Sequence, residues 1–387
     1  MKKQRGVFCF FILYFLFWMG ENALSSYLGI FYEAKGLGGV QIAVINSVFS
    51  IAVVAAALFA GAIGDQISST RSLLLALSIA MILGTALLYI SASYTMILLS
   101  VIIYGVGYSP FNGVADQMLM NRLENHPERF GQIRMGGTIG AGVGVVLAGL
   151  LMQHGSRFSA LFMIYWTAAA LCFLAVLRLP KQAGMKERAT WRDYLLVVQH
   201  KRFLPIYLTL IVWGLTESSV MQFQALHIVA SGYPPADTRI FIAFAMVGEA
   251  IMFALAPKLQ KKLGEDLLIG LAFLLQFFRV GTLALVGWIP IYVTTFFQFT
   301  GGGAYAAVYS TITQKVSNSF PQSISCSAQN LKLVAYRGVG MTCGLMLIGI
   351  FYKEGMSAAA FLILAICALV ACLYYAALGV KERKCVS

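Results

Sequence analysis

Two charges stand inside apolar sequence at a spacing that makes chemistry possible. Asp116 closes Asn112-Gly113-Val114-Ala115-Asp116, and Arg134 lies in Phe130-Gly131-Gln132-Ile133-Arg134-Met135. If the loop between them turns near Asn125, each charge is nine residues from the apex, and an antiparallel helix pair brings both to one depth. A carboxylate beside a guanidinium offers paired hydrogen bonds in fixed geometry, suited to a polar solute. The plain alternative is a static ion pair that only locks two helices.

Six further charges share this setting: the acids Glu21, Glu217 and Glu249, and the bases Arg279, Lys332 and Arg337. Four acids and four bases allow pairing that can be exchanged as helices move, and ionisable groups at membrane depth mark functional sites by default. Polar neighbours recur at helical spacing around them. Tyr14, Trp18, Glu21, Asn22 and Ser25 form one stripe, and Tyr104, Tyr108, Asn112 and Asp116 a second. Trp213, Glu217 and Gln224 make a third; Gln298, Tyr305 and Tyr309 beside Gly301-Gly302-Gly303 a fourth; Gln329, Lys332 and Tyr336 a fifth. Tyr14, Tyr104 and Trp213 read equally well as interfacial belt residues, and Tyr305 and Tyr309 as packing against the glycines. His227 is a secondary candidate for carrying protons, while His126, His154 and His200 fall in loops.

Enzyme chemistry is not indicated. No nucleophile has an adjacent base, no metal cluster appears, and GxxxxGK[ST] is absent, so neither a cofactor nor ATP drive is expected. The seven cysteines fall mostly in apolar stretches without CxxC spacing, so neither disulfide nor metal is expected.

The elements that must position these residues follow from composition. Of 387 residues 59% are hydrophobic and 11% charged, and the mean hydropathy is +0.80. Soluble domains carry roughly 25% charged residues, and the apolar runs here approach the ~20 residues a helix needs to cross a bilayer. The first twenty residues mimic a secretory signal but lack a small-x-small cleavage site, so they read as an uncleaved first helix. Apolar runs predict twelve spans: 7–32, 38–63, 71–93, 96–121, 130–153, 157–178, 203–231, 237–260, 266–288, 290–314, 324–351 and 356–379. Six precede and six follow the one extended polar stretch.

Net charge is +13, yet this is topology and not a nucleic-acid site. Twenty Lys and Arg lie in alternate loops and at the termini, against Lys35, Arg157, Arg239 and Lys353 in the opposite loops. That asymmetry puts both termini in the cytoplasm.

Two equal bundles joined by a linker resemble the major facilitator superfamily, whose halves hold inverted three-helix repeats around a midplane site. The resemblance implies an all-α membrane protein of twelve transmembrane helices in two six-helix bundles, 1–179 and 202–387, with 180–201 as cytoplasmic linker. Gly61-Ala62-Ile63-Gly64-Asp65 followed by Arg71 resembles the superfamily's loop between spans two and three, which implies a gating role for Asp65 and Arg71. Asp116 and Phe130-Gly131-Gln132-Ile133-Arg134-Met135 are similar to the lactose permease type of oligosaccharide:proton symporter. Gly137-Thr138-Ile139-Gly140 looks more like the nucleoside:proton symporters and phenylpropionate permeases. The resemblance implies that Asp116 and Arg134 bind substrate. It also implies that Arg279, in Phe277-Phe278-Arg279-Val280-Gly281, takes part in proton coupling, and that Glu249 lies near an acidic substrate residue. Ala141 stands where galactosides would stack on tryptophan, and Gln298 and Gly301 replace the His and Glu of span ten. A different acid must then carry any proton, with Glu217, Glu249 and Glu21 as the candidates.

The expectation is a secondary active transporter of the plasma (cell inner) membrane, working by alternating access as a monomer in the lipid bilayer. Its small-molecule substrate, a sugar, nucleoside or aromatic acid, is held by Asp116, Arg134, Trp18, Asn22, Tyr108, Asn112, Gln298, Tyr305 and Lys332. Glu217, Glu249, Arg279 and Glu21 couple protons, in symport. The competing reading is a proton-driven exporter of drugs or metabolites.

Overall fold

The structure, a computed structural model, describes residues 2–64, 70–123, 130–153, 158–179, 191–200, 203–234, 238–321, 324–353 and 356–386. Among them nearly everything is helix. The first span is α1 (Lys2–Ser25) continued by α2 (Leu28–Ala34), and α3 (Gly39–Gly64), α4 (Thr70–Ile90), α5 (Tyr94–Arg122), α6 (Phe130–Gln153) and α7 (Ser159–Leu177) follow. A short helix, α8 (Trp191–Gln199), lies in the stretch expected to be a plain connector. The second half runs α9 (Phe203–Ala230), α10 (Thr238–Leu263), α11 (Glu265–Ala284) and α12 (Ile291–Ser319). It ends with α13 (Ser325–Leu333), a π-helical turn at Val334–Met341, α14 (Thr342–Lys353) and α15 (Ser357–Val386).

Eleven spans among the described residues are long and apolar enough to cross a bilayer. The remaining expected span, α12, has 29 residues but is too polar to qualify. Its polar groups are turned inward: Thr294, Gln298 and Thr311 are fully buried. Large apolar side chains on the outward faces stay exposed, among them Leu83 on α4, Leu174 on α7, Val247 on α10 and Leu373 on α15. This inversion is the mark of a chain whose outer solvent is lipid.

The described chain clusters into two compact units, Met1–Phe31 with Val48–Arg188, and Tyr32–Ser47 with Ala189–Ser387. In the first unit α1 packs on α6 and α7, and α4 on α5 and α7. Glycine explains the closest of these contacts. Gly136, Gly140 and Gly144 recur every fourth residue on α6, and a Cβ on each would strike the carbonyls of Phe11, Phe15 and Met19 on α1. Small residues at that spacing let helix backbones approach in lipid, where apolar burial alone gives little drive to associate.

In the second unit α11 packs on α12 and α15, α10 on α12, and α9 on the π-helical turn. Gly248 and Gly302 play the corresponding role between α10 and α12, each lying against a carbonyl of the other helix, Phe299 and Ala245. The core of this unit is built from side chains such as Tyr207, Trp213, Phe273, Ile312 and Val316. At one end Asp266, in the first turn of α11, accepts from Lys315 Nζ of α12 at 2.6 Å. An acid suits that helix start, where the unpaired backbone N–H groups point.

Candidate functional site

Asp116 of α5 and Arg134 of α6 stand together. Arg134 Nη1 donates to Asp116 Oδ1 at 2.9 Å, with both side chains 33% exposed. The Tyr14 hydroxyl of α1 donates to the same oxygen at 2.6 Å, and the Arg134 guanidinium lies over the Tyr14 ring, 5.4 Å from its centre. Tyr14 is buried, so it is a member of this cluster and not an interfacial belt residue. The pair is half-open, so a solute could reach it.

An aromatic wall stands beside it. Trp18 meets Tyr108 edge-on at 6.5 Å, and Phe17 stacks on Phe111 at 4.9 Å. Gly137 makes the room for Trp18, because a Cβ there would fall 2.6 Å from the indole. The Asn22 amide donates to its own helix at Trp18 O, 3.0 Å away. Asn112 is close to a similar bond, 3.5 Å from Tyr108 O, and its buried Oδ1 has no partner among the described residues.

Deeper in the same unit, Glu21 is buried and accepts hydrogen bonds from the hydroxyls of Tyr104 and, at 3.2 Å, Tyr165. A small cavity lined by Gly20, Ser78, Met81, Tyr165 and Cys172 adjoins it. Tyr165 is not legible as a site residue in the sequence, because nothing in α7 alone distinguishes it from a packing aromatic.

The second unit holds a drier cluster. Glu217 of α9 receives Arg279 Nη1 at 3.0 and 3.1 Å and Gln276 Nε2 at 3.0 Å. Arg279 Nε in turn donates to Gln298 Oε1 of α12 at 2.9 Å. All four residues are buried. The Arg279 side chain runs through the space that a Cβ on Gly301 would take, so this glycine, where the resembled permeases carry Glu, is what admits the arginine. Gln276 escapes sequence reasoning, although it stands three residues before Arg279, on the same helical face.

Lys332, at the end of α13, donates to Thr313 Oγ1 of α12 at 2.6 Å and sits 4.7 Å from the centre of the Tyr309 ring. Tyr305 stacks on Tyr309 at 5.9 Å. Glu249 of α10 and Arg337 of the π-helical turn lie in the neighbourhood of Tyr305. His227 is held on both ring nitrogens, by Ser357 Oγ and Leu283 O at 2.8 Å each. Of the expected gating residues, Asp65 lies outside the described residues; Arg71 donates to Leu179 O at 3.3 Å.

Comparison with known proteins places these clusters in a wider setting. The sequence matches the MFS_1 like family over residues 9–363. It is 23% identical over 378 residues to a maltose permease of Geobacillus stearothermophilus, covering 96% of this chain and 94% of that one. The fold is similar to that of the nucleoside transporter NupG, with a TM-score of 0.82 at 17% identity over 97% of this chain and 99% of the other. A POT family transporter in complex with a thioalcohol-conjugated peptide aligns with a TM-score of 0.77 at 13% identity, over 97% and 96% of the two chains.

Proposed function

Because the chain belongs to the MFS_1 like family, we propose that it is a secondary active transporter that imports a small polar organic solute by proton symport and alternating access. The observation that carries this reading is the half-open Tyr14–Asp116–Arg134 cluster, a recognition group for polar solutes set beside an aromatic wall. The similarity to a maltose permease and to the fold of a nucleoside transporter supports a sugar or nucleoside as solute class; an aromatic acid is the third class.

In this mechanism Asp116 and Arg134 hydrogen-bond the solute, Trp18, Tyr108 and Tyr305 offer it ring faces, and Asn22, Asn112, Gln298 and Lys332 are further contacts. Glu21, Glu217 and Glu249 are the carboxylates that take the coupling proton, and Arg279 is the cation whose grip on Glu217 such a proton would loosen. Arg71 and Asp65 serve in gating. Residues 1–179 and 202–387 form the two bundles, with 180–201 as linker. The protein works as a monomer in the plasma membrane with both termini cytoplasmic, in keeping with its loop charges.

Uptake into vesicles under an imposed pH gradient tests the reading. Accumulation driven by protons moving in with the solute supports symport. Extrusion against the proton flow would replace it with the exporter reading, and a steady ohmic current in a bilayer would replace both with a channel.

A further inference from the structure

The cations inside the spans are not all provided for in the same way. Arg134 is on Asp116, Arg279 is on Glu217, and Arg337 shares the neighbourhood of Tyr305 with Glu249. Lys332 differs, since its ammonium rests on a neutral hydroxyl, Thr313, and on a ring face, Tyr309. No carboxylate of the described residues forms an ion pair with it. A cation withdrawn from water needs compensating charge, and a hydroxyl with a π-face supplies only part of it.

The surroundings are those of a seat for a ligand. Thr313, Tyr309 and Tyr305 follow one another at single-turn spacing along α12, so ammonium, hydroxyl and rings share one face. Tyr309 is 45% exposed and stacks with Tyr305 at an interplanar angle of 25°, which leaves an open aromatic platform beside the charge. Lys332 also stands two residues before the π-helical turn. Such turns are rare and frequently found at functional sites.

We propose that the transported solute is an organic anion, whose carboxylate or phosphate pairs with Lys332 while its body lies on Tyr309 and Tyr305. The proposal rests on the transporter reading above and narrows its substrate class. A neutral sugar or nucleoside would add no charge to offset Lys332, whereas an acidic solute supplies the carboxylate or phosphate that the described residues do not.

The test uses three matched pairs on the purified full chain, read by thermal shift: glucose and glucuronate, uridine and uridine monophosphate, 3-phenylpropanol and 3-phenylpropionate. At least one anion is expected to raise the melting temperature while its neutral twin does not, and the pair that responds identifies the scaffold. Lys332→Gln is expected to weaken apparent affinity for that anion by about tenfold or more, the loss of one charge-assisted hydrogen bond, and Lys332→Arg to keep most of it. Equal stabilisation by a neutral twin overturns the inference, as does an unchanged affinity in Lys332→Gln or no response to any of the three anions. Should Lys332→Gln fail to fold, the comparison of twins on the wild-type protein decides. Gradient-driven uptake of the neutral compounds would sink the anion assignment and leave the transporter reading standing; no gradient-driven movement of any of the six would sink the transporter reading itself.

Discussion

At the scale of single residues, two ion pairs of the same chemistry differ in what surrounds them. Asp116 and Arg134 are each one-third exposed, so the medium screens them and the pair itself contributes little, about 0–1 kcal/mol. Glu217 and Arg279 are buried with 4% and 7% of their side chains exposed, and removing one partner leaves a charge stranded at a cost of about 3–5 kcal/mol. Asp116→Asn and Arg134→Gln are therefore expected to lose solute binding while the protein still inserts and melts near the wild-type temperature. Full solute binding in both variants would end the assignment of this pair. Glu217→Gln and Arg279→Gln are each expected to melt well below wild type, with the double variant recovering part of the loss because no uncompensated charge remains. Equal melting temperatures for all three would show that the buried pair carries no such penalty.

At the scale of elements, close helix contacts decide which side chains can reach one another. Gly301 is a case where one hydrogen atom in place of a Cβ lets Arg279 cross from α11 toward α9. Gly301→Ala is expected to push the guanidinium off Glu217 and so to melt like Arg279→Gln; a wild-type melt would refute that account. The glycine row of α6 has a larger task, holding α1 close enough for Tyr14 to reach Asp116. Gly140→Leu places a side chain on the Phe15 carbonyl and is expected to abolish folded protein in a detergent-extraction assay. Gly281→Ala is the matched control, because a Cβ there meets only Ala365 at an ordinary 3.8 Å. Replacing that helical glycine is expected to be neutral or to stabilise by up to about 1 kcal/mol.

At the scale of the whole molecule, the twelve crossings and cytoplasmic termini proposed above put both ends on the same side. A fluorescent protein fused after Ser387 is therefore expected to mature and glow, while alkaline phosphatase at the same point stays inactive. The reverse pattern would overturn a cytoplasmic C-terminus, and a second reporter before Met1 on the side opposite the first would mean an odd number of crossings, with α12, the most polar span, the first to be questioned. Its polarity has a reason that hydropathy cannot carry: Thr294, Gln298 and Thr311 face protein and not lipid.

Much of this architecture is legible in the amino-acid sequence, because the requirements it answers are local. A bilayer demands long apolar helices, and two charges equally far from the middle of the segment joining their helices come to one depth, where Asp116 and Arg134 meet. The partnerships that cross many residues are not legible there. Tyr14 reaches Asp116 over 102 positions, Arg279 reaches Glu217 over 62, and Tyr165 reaches Glu21 over 144. Sequence names the acids and bases but does not match them, since spacing along one helix says which face a side chain occupies and nothing of which helix stands opposite. Only the tertiary packing decides that, and with it which cation, Lys332, has no carboxylate for a partner among the described residues.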